Sequence, residues 1–246
     1  MRGRRTVWTR AGQLSGILLG LMTMAGSVGC ASRAPRIAPG PGVAEPTERV
    51  QRGAARAAAD RISAQEAEEA AALEAALLSR VDAVIARAAA LEGERRVVVD
   101  GQAWRADCSG FVAACYGDEA DLTDPELATP SVAETMWRTL SDRDQLVQEP
   151  RAGDLVFFDD TYDRNRNGAR DDPLSHVGLV ESVDAQGTVV FLHFGSGRVK
   201  RDRLNLEQPG RHEDEQGEVL NSWLRRGRSG ERLAGQLCRG FARPLQ

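Results

Sequence analysis

The sequence predicts an α+β domain over residues 73–246, set behind a targeting segment and a linker. Three observations predict it. Ser109-Gly110-Phe111-Val112-Ala113-Ala114-Cys115-Tyr116 is small and apolar throughout, as a buried helix is. His176 to Val180 and Val190 to Phe194 read as strands, and Asp184, Gln186 and Gly187 between them supply hairpin turn chemistry. Leu77, Val81, Val84, Ile85, Ala88 and Leu91 recur at helical spacing ahead of both.

The chain has 246 residues, 41% hydrophobic and 28% charged, with a formal net charge of -4. That is the composition of a soluble globular protein with room for one core plus accessory segments. Its arginines are interleaved with acids, so no basic field recruits nucleic acid.

Residues 1–30 read as a signal peptide. Arg2, Arg4, Arg5 and Arg10 precede a short apolar stretch, which ends in Ala25-Gly26-Ser27-Val28-Gly29 and then Cys30. Small residues before a cysteine resemble a lipobox, in which the cysteine is acylated; Ser27 stands where leucine is usual. An ordinary cleaved signal peptide with an incidental Cys30 is the alternative. Ala31, rather than Asp, after Cys30 goes with an outer-membrane lipoprotein facing the periplasm. Arg4-Arg5 fits a twin-arginine signal poorly.

Residues 31–72 form a tether and linker. Pro, Gly and Ala dominate the first part, which cannot build a core. Thr47 to Glu69 is rich in Ala, Arg and Glu and is expected to be helical but weakly packed. From Leu73 the apolar stripe sharpens into a helix that packs on the domain and stops near Gly93. Ser131 and Glu134, after Pro130, read as a capping box opening a helix through Met136, Trp137 and Leu140.

The chemistry concentrates around Cys108. At the head of the apolar helix its thiol meets unpaired N–H groups and the positive end of the helix dipole, both favouring the thiolate. Asp107-Cys108-Ser109-Gly110-Phe111-Val112 resembles the nucleophile motif of the NlpC-type cell-wall peptidases, which are papain-like cysteine hydrolases. Arg151-Ala152-Gly153-Asp154-Leu155-Val156-Phe157-Phe158 is similar to their Gly-Asp strand motif. Ser175-His176-Val177-Gly178-Leu179-Val180 and Val190-Phe191-Leu192-His193-Phe194-Gly195-Ser196 are similar to the two strands that follow. The related CHAP-type amidases share much of this pattern.

The resemblance implies a papain-like fold, with the nucleophile helix packed on an antiparallel sheet. It implies Cys108 as nucleophile, His176 as base and His193 as the residue orienting the base. The substrate it implies is peptidoglycan, cut by an endopeptidase near D-glutamate in the stem peptide. The alternatives are a CHAP-like amidase cutting the sugar–peptide linkage, and a catalytically idle wall-binding lipoprotein. Family members commonly carry a tyrosine before the nucleophile that helps bind the oxyanion; residues 94–104 contain none. The N–H of Cys108 is one donor, and Trp104 or a backbone group is left for the second.

The reaction requires no cofactor. Asp163, Asn165, Asn167, Gly168 and Asp171 match the start of an EF-hand-type calcium loop. Leu174 replaces the last ligand, with Asp172 as a substitute, and a bound calcium would be structural. A polar turn-rich loop is the alternative. Cys115 and Cys238 read either as a disulfide or as two buried thiols. His212 is expected to be solvated, and residues 198–231 to form a loop walling the groove.

Overall fold

The computed structural model describes residues 46–127, 129–227 and 230–246. The expected signal segment, Cys30 and the first part of the tether lie outside the described residues. The chain divides into two units at Ala54/Ala55, and the account below concerns the second.

Helix α1 runs unbroken over Pro46–Ala90, so residue 72, the expected end of the linker, falls inside it. Its described residues before Leu77 are exposed, while Val84, Ala88 and Leu91 are buried. This follows from composition. Ala, Glu and Arg hold a helix by propensity, and only the stripe from Leu77 onward offers a face to bury. Among the described residues no helix is long and apolar enough to cross a membrane.

A hairpin follows, β1 (Val97–Val99) and β2 (Gln102–Trp104), turned by Asp100 and Gly101, both at positive φ. An Asp-Gly pair at positive φ matches the twist of the strands it joins. Helix α2 is Cys108–Tyr116, and α3 is Val132–Asp142. Ser131 caps α3 by accepting the N–H of Glu134 at 3.2 Å. Only that half of the expected capping box is seen, because the Glu134 carboxylate pairs with Arg138 at 2.6 Å.

The remaining strands are β3 (Leu146–Val147), β4 (Leu155–Phe158), β5 (His176–Val183), β6 (Thr188–Gly195), β7 (Arg198–Asn205) and β8 (Cys238–Ala242). A short helix, α4 (Ala234–Leu237), precedes the last. They form one antiparallel sheet ordered β3-β8-β4-β5-β6-β7. Its centre is covered on both faces. Leu155 and Phe157 join the core shared with α1, α2 and α3, while Val156 and Phe158 join a second core with Leu204, Ala234, Leu237 and Phe241. Burial on both faces is why β4 is apolar at every position rather than alternating.

The α+β fold is therefore as expected, with the helix headed by Cys108 against an antiparallel sheet. Leu204 and Leu224 of the second apolar layer are the part that the charged composition of residues 198–231 conceals.

Candidate active site

Cys108 is the first residue of α2. Asp107 caps the helix, its Oδ1 accepting the Gly110 N–H at 2.8 Å, and its other oxygen pairs with Arg105. Position 110 must be glycine, since a Cβ there would lie 2.2 Å from the Arg105 carbonyl oxygen. The Asp-Cys-Ser-Gly sequence is thus a device for folding the chain tightly back at the thiol. At the first helical position the Cys108 N–H has no intrahelical acceptor, and it points toward whatever sits over the helix end.

The thiol is half-buried, and Sγ accepts the N–H groups of Val177 and Ser109. The Val177 contact brings it to the start of β5, one residue from His176. Burial pushes the Cys108 thiol up, and Asp107 adds to this; the two N–H groups and the Ser109 hydroxyl pull the other way without prevailing. Desolvation thus works against the helix end, which favours the thiolate.

His176 and His193 come together as the hairpin of β5 and β6 predicts. His176 Nε2 lies 2.6 Å from His193 Nδ1, with the rings nearly perpendicular at 88°. His193 Nε2 lies 2.8 Å from Asp202 Oδ2 on β7, and Lys200 Nζ reaches the same oxygen at 2.6 Å. Gly195 keeps this space open, as a Cβ there would stand 2.7 Å from His193 Cε1.

This geometry fixes the protons. An ionised carboxylate only accepts, so His193 carries its proton on Nε2 and presents the Nδ1 lone pair. His176 must then donate from Nε2, which leaves its Nδ1 unprotonated. Burial, His193 and Lys200 hold the His176 imidazole well below its ordinary value, with Asp202 opposing them. Burial likewise lowers His193 against the pull of Asp202. For Asp202 itself burial acts upward, but the hydrogen bonds and charges of His193 and Lys200 win and keep it below the usual carboxylate range.

Two cavities meet at Cys108 and share Asp107 and Tyr162 as walls. The larger, about 920 Å³, contains His176, His193, Lys200 and residues 223–227, so residues from the 198–231 stretch wall the groove, although Arg198–Asn205 is strand β7 and not the expected loop. The smaller, about 400 Å³, is lined by hydroxyls including Ser109, Thr129, Ser131 and Thr135. Tyr162 is half-exposed, and burial and then Cys108 raise its phenol.

A CHAP domain profile matches residues 97–193. Residues 97–193 are a CHAP domain. This family comprises papain-like cysteine peptidases and amidases that hydrolyse peptidoglycan, and work on the cell wall implies export. No curated protein and no solved structure gives a match. The matched span includes Cys108, His176 and His193 but ends before Asp202.

Trp104 packs, partly buried, against the first core and is not among the residues lining either cavity. Asp202, Lys200 and Tyr162 were missed. Charge alternation along β7 hides Asp202, and only its register opposite Phe191, on the strand of His193, exposes it. His212 is not merely solvated. Its Nδ1 meets the Asn221 carbonyl at 2.7 Å and its ring packs on Trp223, supporting the groove wall. Cys115 and Cys238 are separate free thiols, both pushed up to about 12 by burial.

The loop from Asp163 is knit internally. The Asp163 carboxylate accepts the N–H groups of Asn167 and Gly168, and the Asn165 and Asn167 amides both reach Asp171. Asp172 is buried; its Oδ2 accepts the Arg164 N–H at 3.0 Å and its Oδ1 faces the Arg164 guanidinium at 3.7 Å. Among the described residues no group of three or more His, Cys, Asp or Glu is placed to hold a metal.

Proposed function

We propose that this protein is a cysteine endopeptidase cutting amide bonds in peptidoglycan stem peptides. The observation that carries this is the relay His176, His193, Asp202, which opens on the cavity that Cys108 also lines and in which the carboxylate sets both imidazole tautomers so that His176 Nδ1 is the free base. Burial leaves thiol and imidazole neutral, so His176 takes the thiol proton as Sγ attacks the carbonyl. The Cys108 N–H and the Tyr162 hydroxyl receive the developing oxyanion. His176 then protonates the leaving amine, and the thioester is resolved by water that gives its proton to His176. Digestion of purified sacculi with the full chain, followed by mass analysis of the products, tests the reading. Cut stem peptides support it; products severed between sugar and peptide indicate an amidase, and an unchanged sacculus indicates an idle wall binder.

We further propose that Cys30 carries a lipid that places the protein at the outer membrane, facing the periplasm. Labelled palmitate is expected to enter the wild type and not Cys30→Ala; label in neither protein would leave an ordinary exported one.

The loop oxygens of Asp163, Asn165, Asn167 and Asp171 are hard donors of the kind calcium takes, gathered within one turn by their hydrogen bonds. Leu174 supplies no ligand and Asp172 is engaged by Arg164, so we propose a structural calcium of modest affinity held by the first four. Calcium is expected to raise the melting temperature where magnesium and chelator do not. At a hundredfold excess over Kd the gain is about 2.7 kcal/mol. Asp163→Ala should abolish the rise, and superimposable curves would reduce the segment to a polar loop.

A further inference from the structure

The two arms of the groove differ in charge. Lys200, Arg225, Arg226 and Arg232 line the larger arm together with Trp223. Its acidic wall residues are Asp107, whose charge is matched, and Asp163, whose carboxylate holds only neutral N–H groups. Asp107 holds Arg105 and the Gly110 N–H, and Asp163 holds the N–H groups of Asn167 and Gly168.

Of the four cations only Lys200 has a carboxylate among the described residues, Asp202 at 2.6 Å. Arg225 and Arg232 each donate to a neutral carbonyl, those of Asp160 and Gly227, and Arg232 also lies over the Trp223 ring at 4.2 Å. Among the described residues no carboxylate lies within ion-pair distance of Arg225, Arg226 or Arg232. Three guanidinium charges therefore face one arm against the single unpaired carboxylate of Asp163, a net positive arm on a chain whose net charge is -4. Holding like charges together opposes folding, and an anion entering the arm removes that cost.

The smaller arm is the reverse. Its arginines, Arg105 and Arg164, are matched by Asp107 and Asp172, and hydroxyls fill the rest of its wall. We propose that the larger arm binds a carboxylate-bearing segment of the substrate peptide, while the smaller arm takes a segment without net charge. Guanidinium forks pair with carboxylates through two parallel hydrogen bonds, and the Arg232–Trp223 stack holds one fork in place. This inference rests on the groove being the hydrolase site. It adds that substrate direction across Cys108 is set by charge, through residues beyond the CHAP match.

The test compares a soluble stem peptide carrying free carboxylates with the same peptide after amidation. Arg226 is exposed and anchors nothing among the described residues, so Arg226→Glu perturbs charge without touching the fold. It is expected to raise KM roughly tenfold for the free-carboxylate peptide with kcat unchanged, and to leave the amidated peptide unaffected. Equal effects on the two peptides, or none, would overturn the inference. Calorimetry with Cys108→Ala separates it from the hydrolase reading, because binding needs no turnover. Tighter binding of the free-carboxylate peptide, weakened by Arg226→Glu, supports the arm even if no bond is cut. Binding indifferent to amidation, or no binding, overturns it.

Discussion

Cleavage of sacculi is expected to fall at least ~10³-fold in Cys108→Ala while the domain keeps its melting temperature to within a few degrees. The substitution removes only the thiol and leaves the backbone N–H of residue 108 in place. The helix start is held from the neighbouring positions, by the Asp107 cap and the close approach of Gly110 to the Arg105 carbonyl. Cys115→Ala should do the opposite. Cys115 is fully buried among α1 and α2, so removing its sulfur costs about 1 kcal/mol of stability and leaves turnover intact. Alkylation adds a second readout. Burial holds the Cys108 thiol protonated, so labelling of the resting enzyme should climb only above the ordinary thiol range. Fast labelling at neutral pH would show a thiolate–imidazolium pair instead. Activity retained in Cys108→Ala and lost in Cys115→Ala would sink the nucleophile assignment.

The residues that were legible in the sequence are those whose role depends on near neighbours. Asp107, Cys108 and Gly110 are a single local device, and the turn at Asp184 and Gly187 brings β5 and β6, and with them both imidazoles, together. The stripe from Leu77 to Leu91 declares its own buried face. What the sequence withholds depends on partners far along the chain. Asp202 sits among Lys200, Arg201 and Arg203 and reads as one charge in a solvated strand, until pairing with β6 sets it beside His193. Residues 198–231 look polar throughout. Yet Leu204 and Leu224 help bury the second face of the sheet, and Trp223 and Arg225 turn to the groove. Trp104 shows the complementary case: it stands near Cys108 in sequence, and only the fold shows that β2 packs it against the core.

Asp202→Ala is expected to lower kcat by on the order of 10² to 10⁴ with little change in KM. The carboxylate contacts neither groove cavity, so substrate binding has no direct claim on it. Its effect is transmitted. With Asp202 gone, nothing obliges His193 to carry its proton on Nε2, and the tautomer with Nδ1–H becomes available. That tautomer donates to His176 Nε2 and forces the His176 proton onto Nδ1, where it blocks the thiol. The charge changes too. Asp202 pulls the His176 imidazole upward while Lys200 and His193 push it down. Removing it leaves the Lys200 ammonium uncompensated, lowers His176 further and destabilises the imidazolium that forms as Cys108 attacks. The acid limb of the pH–rate profile should therefore move to lower pH in the variant, although the enzyme is slower. A merely structural loss would lower kcat without moving that limb. Asp202→Asn separates the two contributions, because its amide oxygen can still accept from His193 while the negative charge is gone. It is expected to recover part of the lost kcat and to keep the displaced acid limb. An Asp202→Ala enzyme with wild-type kcat, or one whose limb moves to higher pH, would show that the carboxylate does not set the base.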